Sequence, residues 1–306
     1  MTTPPDTLSN KRDSPDLPRS PPPATTRPCV TISPAMSTQA RSPVNTDSKA
    51  GPPPGQYLGV DAVSPLLARI APPSPESDAA DSASLYLAPE SLARWPQSRD
   101  ASLRDWYRFV SPALNGPGGD ALLKSDTGLV VLRHGEKGVA LVPPFPVNQE
   151  LVSEKWDEAP LNGLLTTDYT VGVVLLRLGR YLVAVFRGTE PLVTKTDTRY
   201  VKGKHHAGGT SQLRFKRIRE GQMRKLFDEA CGVVGSRFAP HERELDYILL
   251  GGEKLTLSGF LKVCPYLQRR QDIILDRRLN IRDPKHDTLE TVSGLLRQSR
   301  VWPIGP

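Results

Sequence analysis

Proline is distributed so unevenly along this chain that it decides where a fold can be. Seventeen of the 31 prolines fall in the first eighty residues, together with ten serines, eight threonines and one aromatic, Tyr57. A segment of that composition cannot bury enough apolar surface to offset the conformational entropy of ordering it, so residues 1–83 read as a disordered tail. Roughly 220 residues remain, ample for one hydrophobic core. Residues 84–159 read as a small subdomain and residues 160–304 as the main domain.

Hydrophobic periodicity supplies the elements. LYLAPESLARWP (Leu85 to Pro96) gives a short strand and a helical turn stopped at Pro96. Leu103, Trp106, Tyr107 and Val110 recur at helical spacing. Gly128 to Val147 is two apolar runs around HGEKG, a hairpin signature. Thr170 to Leu178 and Tyr181 to Arg187 repeat that pattern around Gly179-Arg180, and a third strand follows near Leu192 to Lys195. A helix runs from about Ser211 to Val234, with Phe215, Ile218, Met223, Leu226, Phe227, Ala230 and Val234 as its apolar stripe and the arginines opposite. Glu244 to Gly252 is a buried strand, TLSGFLKVCPYL a short helix broken at Pro265, IILDRRLN another strand, and HDTLETVSGLLRQSRVW a final helix. Strands in succession, a long helix, then alternating strand and helix indicate an α/β or α+β domain around a mixed sheet.

The formal net charge is +7, and from Lys195 to Lys225 ten Lys or Arg residues face only Asp197 and Glu220. That concentration is the footprint of a polyanionic partner, with RNA the first candidate. Three cysteines, Cys29, Cys231 and Cys264, form no Cys-x-x-Cys pair and suggest neither a disulfide framework nor a zinc site. The N-terminus lacks an apolar signal region and no run of about twenty apolar residues occurs. The expectation is a cytoplasmic, monomeric protein with no membrane contact, metal or other cofactor.

The densest information lies in Tyr200 to Glu220, YVKGKHHAGGTSQLRFKRIRE. Gly208 and Gly209 let the backbone approach a ligand with no Cβ in the way. Thr210 or Ser211 suits the N-cap of the helix that follows. Gln212 follows as one uncharged polar side chain. Adjacent His205 and His206 in an extended loop point to opposite faces, which suits RNA contact better than a metal pair. Taken alone, such a segment is more readily a Gly-Gly turn before a solvated basic helix. Asp168 and Asp276 do not supply the carboxylate cluster that two-metal nuclease chemistry needs.

The order of residues in this run resembles the middle domain of the eukaryotic and archaeal class I peptide release factors. Gly208, Gly209, Ser211, Arg214, Phe215, Arg217 and Arg219 stand where that pattern has Gly-Gly, Ser and Arg-Phe-x-Arg-x-Arg. Thr210 replaces the glutamine of Gly-Gly-Gln, and Gly209-Thr210-Ser211-Gln212 instead is similar to the Gly-Ser/Thr-x-Gln of release-factor-like peptidyl-tRNA hydrolases of ribosome-associated quality control, of which bacterial members are known. The resemblance covers roughly Leu85 to Trp302. It implies a ribonuclease-H-like fold for residues 160–304 and hydrolysis of the peptidyl-tRNA ester at the peptidyl transferase centre of the large ribosomal subunit. It implies a catalytic loop of Gly208, Gly209, Thr210, Ser211 and Gln212. Lys202, Lys204, His205, His206, Arg214, Lys216, Arg217 and Arg219 would contact RNA. Reading of stop codons is not implied, since no second and third domain of a release factor is found. The alternative within the resemblance is a non-catalytic ribosome binder of the hibernation type.

Overall fold

Two sheets, each covered by helices on both faces, carry the chain. The computed structural model describes residues 53–73, 81–201, 203, 210–281 and 283–305, and only the backbone of residues 210–212. Most of the expected tail therefore lies outside the described residues.

The first sheet is antiparallel, in the order β1-β11-β4-β3-β2-β5. Its strands are β1 (Gln56–Leu58), β2 (Ser82–Leu87), β3 (Leu129–His134), β4 (Lys137–Val142), β5 (Leu151–Ser153) and β11 (Ser299–Ile304). The β3–β4 hairpin expected around HGEKG forms, with Gly135 at φ +58° in its turn. On one face Leu85, Val131, Ala140 and Trp302 pack under α2 (Pro89–Arg94), α3 (Ala101–Asn115) and α4 (Asp120–Leu123). Asp100 caps α3 by accepting from the Leu103 N–H at 3.2 Å. On the other face Tyr86, Val130 and Leu141 pack against α1 (Val60–Ala68) and α5 (Ala159–Thr166).

Two expectations change here. The reading of residues 1–83 as tail gives way at β1 and α1, because Val63, Leu66 and Leu67 are buried in this core despite the surrounding prolines. The reading of the last segment as a helix through Trp302 also gives way. That helix, α9 (Thr288–Leu296), stops short, and Arg300–Ile304 pair antiparallel with Val142–Gly138 of β4. The first sheet thus draws strands from both ends of the described chain rather than from a contiguous 84–159, and residues 49–306 form one compact unit.

The second sheet has the order β10-β9-β6-β7-β8, with β6 (Thr170–Arg177), β7 (Arg180–Arg187), β8 (Glu190–Thr198), β9 (Tyr247–Gly252) and β10 (Ile274–Leu279). Strands β6, β7 and β8 run antiparallel, while β9 and β10 run parallel to β6. Numbered within the sheet this is 3-2-1-4-5, the ribonuclease-H-like order, and the sheet is mixed as expected. Strands β6 and β7 are buried over nearly their whole length, so they read as continuous Val/Leu runs rather than alternating ones. Parallel pairing requires crossovers. Helix α6 (Thr210–Phe238) joins β8 to β9, and α7 (Lys254–Leu261) and α8 (Pro265–Gln268) join β9 to β10. These three helices bury one face over Val174, Val183, Val185, Ile248 and Leu250. Helix α9 and Phe145 cover the other face.

Cys231 of α6 and Cys264, at the start of α8, are joined by a disulfide with Cα atoms 5.3 Å apart. This corrects the expectation from spacing. The two are 33 residues apart in sequence and meet only because α6 and α8 pack on the same sheet face.

Candidate functional site

The candidate segment lies between β8 and α6. Strand β8 is the edge strand of the second sheet, and its last residue pairs with Arg180 at the β6–β7 turn. That turn uses Gly179 at φ +100°, a conformation that favours glycine. Its carbonyl accepts from the Arg199 N–H at 2.8 Å. The outgoing stem is therefore rooted at the end of the sheet where β6 finishes. Three more interactions hold it. Arg199 pairs with Glu229 of α6, Val201 packs on the core beneath α6, and Lys195 pairs with Asp197 at 3.2 Å. The Thr198 N–H and Lys195 hold the Asp197 carboxyl below the usual carboxylate range. Burial, then the nearby Glu229 and Asp197, push the Tyr181 hydroxyl up to about 12, so it stays a neutral donor beside this stem.

Lys202, Lys204, His205, His206, Gly208 and Gly209 lie outside the described residues. Thr210, Ser211 and Gln212 form the first turn of α6, so Thr210 is already helical rather than the residue preceding the helix. At 29 residues α6 is about 43 Å long, and its two halves differ. From Leu226 onward the residues Leu226, Phe227, Ala230, Val234 and Phe238 are fully buried. Before Leu226 no described side chain of α6 is fully buried.

The exposed half is amphipathic in a phase the sequence did not predict. Phe215, Arg219, Gln222 and Met223 line a half-buried strip that continues the buried stripe downward. Arg214, Lys216, Arg217 and Ile218 face solvent. Ile218, expected in the apolar stripe, is 41% exposed, and Leu213 is 64% exposed. Arg219, expected on the outer basic face, turns inward, and its Nε is enclosed without a hydrogen-bond partner among the described residues. The reason is rotation. Stepping back from Leu226 by three, four and four residues reaches Met223, Arg219 and Phe215, and Ile218 falls to one side of that line. Lys216 shares its charge with Glu220 at 4.0 Å. Arg214 and Arg217 form no ion pair among the described residues. Tyr200, before the Gly208-Gly209 loop in sequence, is likewise exposed, at 75%.

The two acids weighed for nuclease chemistry are used elsewhere. Asp168 pairs with Arg297 beyond the other end of β6. Asp276 lies on β10, where its N–H donates to Asp126.

The described residues thus form an exposed, cation-bearing helix end with a short polar turn at its tip, a charge arrangement that suits a polyanion. Comparisons with known proteins bear on this segment directly. Residues 169–302 match a family model described as the Actinobacteria/chloroflexi VLRF1 release factor. Peptide chain release factor subunit 1 of Archaeoglobus fulgidus is 28% identical over 165 residues, covering 53% of this chain and 39% of that protein. The same subunit of Methanosphaera stadtmanae is 33% identical over 102 residues, covering 33% of this chain and 25% of the relative. The chain thus spans well under half the length of these curated relatives. Among solved structures, the archaeal translation termination factor aRF1 aligns at 15% identity and TM-score 0.33, over 76% of this chain and 68% of that one. The Vms1 mitochondrial localization core aligns at 13% identity and TM-score 0.34, over 70% and 89%.

Proposed function

From the premise that this chain carries a release-factor-like domain over residues 169–302, we propose that it acts on the ribosome in translation termination or rescue, hydrolysing the ester between a nascent peptide and tRNA on stalled or split ribosomes. One observation carries the reading. Thr210-Ser211-Gln212, which follow Gly208-Gly209 in sequence, open a helix whose first half is solvent-exposed and basic, on a stem fixed to the sheet end.

The chemistry asks little of the protein. Water attacks an activated ester inside an RNA cavity that already excludes bulk solvent. Gly208 and Gly209 would let the loop enter a narrow tunnel. The Gln212 amide, donor and acceptor without charge, would orient the attacking water, with a backbone N–H at the start of α6 stabilising the oxyanion or leaving oxygen. A glutamine is not a base at neutral pH, so the proton passes to the substrate's 2′-hydroxyl or to water. Thr210 and Ser211 would set the helix start. Lys202, Lys204, His205, His206, Arg214, Lys216 and Arg217 would hold rRNA or tRNA phosphates, while Arg219, expected among them but turned inward, would brace the helix. The protein would act as a monomer in the cytoplasm, on the large subunit at the peptidyl transferase centre, without a cofactor. Among the described residues no helix is long and apolar enough to cross a membrane.

The deciding experiment is single-turnover release of labelled peptide from peptidyl-tRNA on isolated large subunits at saturating protein. Gln212→Ala should lose ~10²–10³ in rate, the usual cost of one positioned polar group, with unchanged subunit affinity. Thr210→Ala should cost far less. Equal rates for Gln212→Ala and wild type would remove Gln212 from catalysis. Tight binding by wild type without release would make the protein a non-catalytic ribosome binder.

A further inference from the structure

At the same end of the second sheet, the parallel strands stop around a cavity of about 390 Å³. It is lined by Arg177, Gly252, Glu253, Arg278, Leu279, Asn280 and Ile281. Three local features build it. Strand β6 ends on Arg177, whose side chain is exposed. Strand β9, between β6 and β10, ends on Gly252 at φ +137°, where a Cβ would lie 2.1 Å from the Leu176 carbonyl oxygen. Only glycine fits, and the floor of the notch is therefore bare backbone. Strand β10 has an irregularity between Leu275 and Arg278, and such bulges re-aim side chains. Arg277 turns inward, its guanidinium donating to the Leu295 and Leu296 carbonyls at the end of α9. Arg278 turns outward into the notch.

The charges in this notch are not spent on each other. Arg180, Arg187, Arg199 and Arg297 of the same domain each pair with a carboxylate. Arg177 and Arg278 form no ion pair among the described residues. Glu253, the one acid in the lining, accepts from the Thr256 hydroxyl at 3.2 Å. Two unpaired guanidiniums on either side of a glycine floor suit an oxyanion with several acceptor oxygens, the fork geometry for which arginine is favoured. Gly179, two residues after Arg177, is the residue whose carbonyl anchors Arg199 and the outgoing functional stem. The notch and the basic half of α6 therefore belong to one end of the sheet.

We infer that Arg177 and Arg278 form a second phosphate seat for the RNA engaged by the basic half of α6. The seat receives a backbone phosphate of that RNA when the domain docks, and so fixes the orientation of the functional loop. This rests on the ribosome reading above and extends it by a contact that reading does not need. Its place at the sheet end from which the stem of the basic helix departs favours RNA over an acidic protein segment.

The test compares wild type, Arg177→Ala/Arg278→Ala and Arg177→Lys/Arg278→Lys, with Arg214→Ala/Lys216→Ala/Arg217→Ala as reference. Affinity for purified large subunits and for a fluorescent RNA hairpin is measured against KCl concentration. The double alanine variant should bind at least tenfold more weakly at low salt, with a log–log salt slope smaller by about one to two. The double lysine variant should keep the slope and melt like wild type. Wild-type affinity and slope in the double alanine variant, while the helix reference is weakened, would overturn the seat. Should wild type ignore subunits altogether, the ribosome reading fails, and the hairpin series still decides the seat. Two further outcomes overturn the assignment to RNA. One is a ³¹P signal showing inorganic phosphate bound through Arg177 and Arg278 while both RNA affinities are indifferent to the variants. The other is poly-glutamate displacing the hairpin as effectively as unlabelled RNA.

Discussion

The backbone N–H of Asp276 donates to the carboxylate of Asp126, tying β10 of the second sheet to the segment that enters β3 of the first. Burial pushes the Asp126 carboxyl above its ordinary value of 3.8, against the lowering effect of the backbone donors at Asp276 and Asp126; the neighbouring Asp276 charge also raises it, and the Arg277 N–H lowers it. A carboxyl with a raised folded-state pKa binds its proton more tightly in the native protein. Between 3.8 and the raised value the folded state holds more protons than the unfolded state, so Asp126 costs stability as the pH rises through that window. Asp126→Asn keeps an acceptor for the Asp276 N–H and does not titrate. The stability of wild type relative to Asp126→Asn, from urea unfolding at steps between pH 3.5 and 7, should fall with rising pH and then level off. A constant difference across the series would show that the carboxyl is not perturbed by folding.

Truncation separates composition from structure at the N-terminus. Residues 1–52 have the proline-rich, aromatic-free makeup of a segment that buries little, and removing them should leave the melting temperature unchanged. Removing residues 1–79 also deletes β1 and α1, whose Val63, Leu66 and Leu67 are 0%, 6% and 1% exposed. Each such side chain contributes ~1.5–3 kcal/mol on burial. The longer truncation should therefore lower the midpoint by about 10 °C or more, readable by differential scanning calorimetry. Equal midpoints for the two truncations would mean that α1 adds nothing to the core.

The contrast shows which parts of the fold were legible from residues alone. The β3–β4 and β6–β7 hairpins announce themselves because both strands and the turn glycine are local in sequence. Helix α6 does so because its C-terminal half, with Leu226, Phe227, Ala230 and Val234 buried, keeps a helical period. Helix α1 was hidden, since Pro65 and the prolines around it outweigh a short apolar stripe. Strand β11 was hidden for a different reason. SRVWPI follows directly on the helical run of α9, and only pairing with β4, far back in the chain, makes a strand of it. At the site, the motif and its charge were legible. The inward turn of Arg219 depends on which side of α6 meets the sheet. The Arg177–Gly252–Arg278 notch depends on three strand ends from distant parts of the chain.

The basic half of α6 gives the most direct test of whether its charge is used. Arg214 and Arg217 are exposed and form no ion pair among the described residues, whereas Lys216 is half-engaged with Glu220 and Arg219 is turned inward. Replacing Arg214, Lys216 and Arg217 together by alanine should weaken binding to large ribosomal subunits. It should also flatten the log–log salt dependence by about three, near one per lost phosphate contact. Single changes should rank Arg214 and Arg217 above Lys216, whose charge is partly compensated. Arg219→Ala should act differently, leaving the slope nearly intact while destabilising the N-terminal turns of α6 through lost packing of its stem. Equilibrium binding across a salt series, with amide hydrogen exchange along α6 measured in parallel, separates the two effects. If the triple variant keeps wild-type affinity and slope, the outward face of α6 is merely solvated. If Arg219→Ala flattens the slope as much as Arg217→Ala, the guanidinium swings outward to meet the RNA, and the inward strip is not its working position.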